Sequence, residues 1–194
     1  MCNHYLNTIK KYIPKKRIEH SIRVSESAKI LAEIHKADQD RVVKAALLHD
    51  IAKNQSPESL KALGVSPLYS ECWKEFPAVW HAFVAPGLIE YECPGESSDI
   101  SDMVRYHTTG HPEMDKEAMI IYIADFIEPM REHPNRKEMD VLSQRSLEEA
   151  VAWITHFSIE KLKGKNREIH PFTKDCWKSY CKYIPDGEKW HQDD

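Results

Sequence analysis

Apolar positions along this chain recur at the helical period rather than in alternation. Runs that alternate polar and apolar residues are short, so the pattern predicts an all-α protein. The first long helix is expected from Lys15 to His35, burying Ile22, Leu31 and Ile34, with His20, Val24, Ser27 and Leu31 on one stripe. A second is expected from Asp38 or Gln39 to Lys53. Its VVKAALLHDIA run is apolar almost all round, as suits a central helix. Ser56 and Pro57 have the cap and first-turn chemistry of a new helix ending at Gly64. Val65 to Pro77 reads as irregular. Pro77 opens a helical segment with Pro86 as a candidate break, and Glu92 to Ser98 reads as a loop.

Ile100, Met103, Val104 and His107 follow helical spacing, and Thr108-Thr109-Gly110 ends that helix. Asp115 is placed to cap KEAMIIYIADFIEP, which Pro129 closes. A helix around Ser146 to Lys163 and a last one from Phe172 to Tyr183 complete the pattern. The expected organisation is one domain over 1–185 with a frayed tail over 186–194.

The polar residues inside this apolar pattern carry the chemistry. His20, His49, Asp50, His81, His107 and Asp125 all fall at core-facing positions of predicted helices. A single core histidine is ordinarily a hydrogen-bonded one. The adjacent pair His49-Asp50 is harder to place, because consecutive helical residues point about 100° apart and one wet face cannot solvate both. Asp125, in IIYIADFIEP, raises the same difficulty independently. A buried aspartate is costly unless paired or metal-bound. Two neighbouring metals account for six such side chains better than one. Imidazoles and carboxylates without a thiolate suit iron, manganese or zinc at a catalytic site, and the long spacing suits a helical bundle that projects one ligand per helix. His4, His35, His133, His156 and His191 sit near ends or in polar surroundings and read as surface. His111, in the turn after His107, is a weaker candidate for approaching the site.

Composition narrows the function classes. The 194 residues carry a net charge of −4 and no long basic block, so nucleic-acid binding is not expected. No apolar run reaches the ~18 residues of a membrane span, and the polar N-terminus does not resemble a signal peptide. The five cysteines form no CxxC pair and read as reduced thiols of a cytoplasmic protein.

Several strings resemble the HD superfamily of metal-dependent phosphohydrolases. RIEHSIRV (17–24), LLHDIAK (47–53), RYHTTG (105–110), IADFIEPMR (123–131) and IHPFT (169–173) are similar to its YqeK-type branch, symmetrical diadenosine tetraphosphate hydrolases. The resemblance spans 17–173 and implies an all-α HD-domain helical bundle with a buried binuclear metal site. It implies hydrolysis of diadenosine tetraphosphate into two ADP through a metal-bridging hydroxide. The cofactors implied are two divalent ions, iron with manganese as the alternative. Carried over, the metal ligands are His20, His49, Asp50 (bridging), His81, His107 and Asp125. Asp50, Lys53 and His107 would serve catalysis. Arg17, Arg23, Lys53, Thr108, Thr109, Arg131 and His170 would bind substrate. A homodimer is compatible with the sequence. Ala82 and Ala85 after His81, and His133-Pro134-Asn135 after Arg131, depart from the branch pattern. The competing expectations are an HD phosphohydrolase acting on other nucleotides or dNTPs, a nucleotide-binding module without turnover, and a structural helical protein. The last leaves Asp50 and Asp125 unexplained.

Overall fold

The computed structural model describes residues 2–66 and 74–185. The expected tail over 186–194, His191 and most of the irregular stretch after Val65 lie outside the described residues. The described residues are helical, with no strand among them. They run α1 (Cys2–Ile9), α2 (Lys15–Ile34), α3 (Gln39–Leu48), α4 (Pro57–Ala62), α5 (Trp80–Glu92), α6 (Ser97–Tyr106), α7 (Lys116–Ile127), α8 (Arg136–Ser143), α9 (Leu147–Lys163) and α10 (Pro171–Tyr180), followed by a 3₁₀ turn at Cys181–Tyr183.

Local chemistry sets most of these boundaries. Asp38 accepts from Arg41 N–H, Asp115 from Ala118 N–H and Ser146 from Glu149 N–H, each satisfying a donor the first helical turn leaves free. Ser56 and Ser59 form a reciprocal capping box with Pro57 in the first turn of α4. Gly64, at φ +74°, turns the chain away after α4. Pro86 lies inside α5 without splitting it.

Helices α3 and α7 form the centre. α2 packs against both, α6 crosses both, and α9 covers the far side of α7. The apolar character of α7 explains its place, because Ala118 to Ala124 and Ile127 are all buried. In α2 the buried stripe is His20, Ser21, Val24, Ser25, Ala28, Leu31 and Ala32. Ile34, expected in the core, is 42% exposed because the stripe has rotated past it at the last turn.

Two short amphipathic helices, α1 and α8, were not foreseen from the pattern. Each is about two turns long, and short helices draw most of their stability from tertiary packing. Ile9 of α1 and Met139 of α8 are fully buried anchors.

The second long helix ends five residues earlier than expected, at Leu48 rather than Lys53. From there the backbone makes i to i−3 turns, with Ile51 N–H on Leu48 O, Lys53 N–H on Asp50 O and Gln55 N–H on Ala52 O. His49 and Asp50 open this tighter winding, and both are buried.

Candidate metal centre

Six side chains from five segments of the chain converge where α2, α3, α5, α6 and α7 meet. His20 comes from mid-α2, His49 and Asp50 from the turn after α3, His81 from the first turn of α5, His107 from the end of α6 and Asp125 from α7. His20, His49, Asp50, His81 and His107 are each no more than 6% exposed. Asp125 keeps 17% side-chain exposure.

Asp50 lies between two groups. His20, His49 and Asp50 offer ligand atoms within 4.8 Å of one another, and so do Asp50, His81 and His107. Asp50 Oδ1 is 3.1 Å from His81 Nε2 and 3.7 Å from His107 Nε2. Its Oδ2 is 3.6 Å from His49 Nε2 and 3.9 Å from His20 Nε2. Asp125 Oδ1 lies 3.0 Å from His20 Nε2 and 3.9 Å from His49 Nε2.

The imidazoles are oriented before any ligand arrives. His49 and His107 each occupy the position just after a helix and donate Nδ1–H to the carbonyl three residues back, Ala46 and Val104, at 2.6 Å. Those carbonyls are ones a helix end leaves without an intrahelical partner. A ring that donates from Nδ1 presents an Nε2 lone pair when neutral. The buried Nε2 of His49 has no hydrogen-bond partner in the protein, and that of His20 has only the Asp125 carboxylate, 3.0 Å away without hydrogen-bond geometry. An unsatisfied buried nitrogen is costly, and a divalent cation is the partner this donor set fits.

Protonation favours the same use. Burial holds His49 and His81 down to about 4, so both rings are neutral at physiological pH. Burial pushes the Asp50 carboxyl up, but the imidazoles that surround it outweigh the burial and hold it well below the usual carboxylate range. Asp125 is likewise held low against its burial, by His20 and Arg131.

An expected pH dependence follows. With His49 and His81 held below their ordinary 6.5, the unfolded chain takes up protons that the native metal-free protein refuses between 6.5 and about 4. Stability should therefore fall as pH drops through that window, by a few kcal/mol, because each tenfold loss of proton affinity on folding is worth about 1.4 kcal/mol. Urea midpoints of chelator-stripped protein at pH 7 and pH 5 check this. An equal or higher midpoint at pH 5 contradicts it.

The candidate substrate contacts divide into two sets. Arg17 Nη1 donates to Asp50 Oδ2 at 2.9 Å, Lys53 Nζ lies 3.2 Å from His81 Nε2, and Arg131 bonds both the backbone and the carboxylate of Asp125. These cations keep 28–38% side-chain exposure beside the buried cluster. Lys53 sits on the turn after α3 rather than on the helix. The buried Thr108 hydroxyl has no hydrogen-bond partner in the protein.

Arg23, Thr109 and His170 are engaged elsewhere. Arg23 donates to Glu128 at 2.7 Å, Thr109 Oγ1 bonds Gly110 O at 2.9 Å, and His170 caps α10 through Phe172 N–H. The His170 ring packs against Phe76 and Phe83.

Among the remaining histidines, His111 stacks on Tyr106 and meets Phe172 edge to face rather than reaching the metal ligands. Three of those expected at the surface are half-buried. His35 bonds Ser143 O, His133 bonds Phe126 O, and His156 packs against Trp153 and Trp177.

One residue of this site was missed in the sequence. Glu128, 3% exposed, accepts from Arg23, from Met130 N–H and from His20 Nδ1. An acidic residue closing the apolar run IIYIADFI is the signal that would have flagged it.

Comparison with known proteins agrees with this arrangement. The HD domain model matches residues 17–130, a span that takes in all six converging residues. The chain belongs to the HD domain family. HD domains bind divalent metals, and the described residues hold the two His/Asp groups for it. A Bacillus subtilis protein named bis(5'-nucleosyl)-tetraphosphatase, symmetrical, is 32% identical over 169 residues, covering 87% of this chain and 91% of that protein. A Halalkalibacterium halodurans protein of the same name is 30% identical, with 87% and 90% covered. The fold matches a Clostridium acetobutylicum structure described as a "predicted HD superfamily hydrolase involved in NAD metabolism", with a TM-score of 0.82 at 24% identity over 94% of this chain and 98% of that one. No described helix is long and apolar enough to cross a membrane.

Proposed function

We propose that this protein is a metal-dependent hydrolase that cleaves diadenosine tetraphosphate symmetrically into two ADP. The observation that carries the chemistry is a single buried carboxylate, Asp50, shared by two histidine groups. The name borne by relatives that match most of this chain supports the substrate.

His20, His49, Asp50 and Asp125 would hold one divalent ion and Asp50, His81 and His107 the other, with Asp50 bridging. Nitrogen and oxygen donors without thiolate suit iron, manganese or zinc, and of these the family resemblance favours iron, with manganese as the alternative. Bound there, such ions lower the pKa of water and polarise phosphoryl oxygens.

The rest falls to the protein's own residues. Arg17, Lys53 and Arg131, beside the cluster, would offset the charge of the polyphosphate. Burial lowers the Lys53 ammonium, while Asp50 raises it. Water adds to one inner phosphorus, the bridge to the other inner phosphorus breaks, and ADP departs. Because both inner phosphorus atoms are equivalent, both products are ADP. The unpaired thiols of Cys93, Cys176 and Cys181 support a reducing, cytoplasmic setting.

The test is product chromatography after incubation with diadenosine tetraphosphate and ferrous iron. ADP alone is expected. AMP with ATP would refute the symmetrical register, and no hydrolysis by metal-loaded protein would refute the substrate.

A further inference from the structure

The four imidazoles of the site do not obtain their orientation in the same way. His49 and His107 sit at helix ends, where a carbonyl of the same helix is free to take Nδ1–H. His20 lies inside α2, which continues to Ile34, so the carbonyls around it are engaged in the helix. Its Nδ1 turns instead to Glu128 Oε1, 3.2 Å away at the C-terminus of α7.

That carboxylate is itself held from two other directions. Arg23 Nε and Met130 N–H both donate to Oε2, at 2.7 and 2.9 Å. Arg23 lies three residues after His20, so the two side chains sit on neighbouring turns of one face of α2 and meet the same carboxylate. With Nδ1 bound in this way, the ring directs Nε2 toward Asp125 and Asp50, at 3.0 and 3.9 Å.

We infer that Glu128 is a positioning residue that fixes the tautomer and orientation of His20 so that Nε2 meets the metal, and that Arg23 acts through Glu128 rather than on substrate. The inference rests on the metal-centre reading above. It assigns a role to a side chain outside the ligand set and removes Arg23 from the phosphate-binding group. Partners of this kind are worth about 10- to 100-fold in metal affinity.

The test compares Glu128→Ala, Glu128→Gln and Arg23→Ala with the unmodified full chain. Manganese binding to stripped protein is followed by electron paramagnetic resonance of the free ion, and the His20 tautomer by nitrogen-15 NMR. Glu128→Ala is expected to weaken manganese binding by about 10- to 100-fold and to lose the Nδ1–H form of His20. Glu128→Gln keeps an acceptor oxygen and should recover part of both. Arg23→Ala should weaken metal binding by a smaller factor, leave KM for diadenosine tetraphosphate unchanged at saturating metal, and add nothing to Glu128→Ala. Should Glu128→Ala fail to fold, the other two variants carry the test.

Unchanged affinity and tautomer in folded Glu128 variants would overturn the inference while the metal centre stands. A raised KM in Arg23→Ala with unchanged metal affinity would overturn it too, returning Arg23 to the substrate. If the unmodified protein bound neither manganese nor iron, the metal-centre reading itself would fall.

Discussion

Asp50→Ala should abolish both turnover and metal binding, lowering kcat/KM by about 10³-fold or more, equivalent to ~4 kcal/mol or beyond. No other side chain is shared by both histidine groups among the described residues. Its Oδ1 faces His81 and His107, and its Oδ2 faces His49 and His20, so one substitution removes a ligand from each site. The loss also leaves Arg17 without the carboxylate it meets at 2.9 Å. Metal analysis of the purified variant, alongside its rate of ADP release, checks the prediction. Substantial metal retention with normal turnover would show that Asp50 is a structural carboxylate.

The second large effect is on stability. Gly110 closes the turn after His107 with its N–H on Tyr106 O, at φ +65°. A Cβ there would lie 2.6 Å from Cys176 Sγ and 3.3 Å from Cys176 Cβ. Cys176 is fully buried, so it has little room to retreat. The left-handed backbone costs an alanine about 1–2 kcal/mol, and overpacking a tight core adds about 1–3 kcal/mol. Gly110→Ala should therefore destabilise the protein by about 3 kcal/mol, a fall in Tm on the order of 10 °C. Adding Cys176→Ala should return part of this, since it removes the clash but not the backbone strain. Calorimetry of the single and double variants would settle the point. A Gly110→Ala protein melting with the unmodified one would mean that the turn adjusts freely.

The features legible in the sequence were those with a local cause. Caps at Ser56 and Asp115 announce themselves because the capping side chain sits next to the turn it satisfies. The apolar run around His49-Asp50 and the one around Asp125 made the buried carboxylates conspicuous. What escaped depends on partners far along the chain. Arg23 looks like any helix-surface cation until α7 brings Glu128 beside it, 105 residues on. The end of α3 at Leu48 was hidden by the favourable helix composition of Ile51 to Lys53. Helices α1 and α8 are too short for periodicity to stand out.

The central claim is that these six side chains form a two-metal hydrolytic centre. The most direct measurement strips the protein of metal and titrates it anaerobically with ferrous iron, and separately with manganese, while following ADP release from diadenosine tetraphosphate. The account predicts no hydrolysis by stripped protein and activity that rises until two equivalents are bound per chain. Hydrolysis by the stripped protein, or full activity at one equivalent, would contradict it.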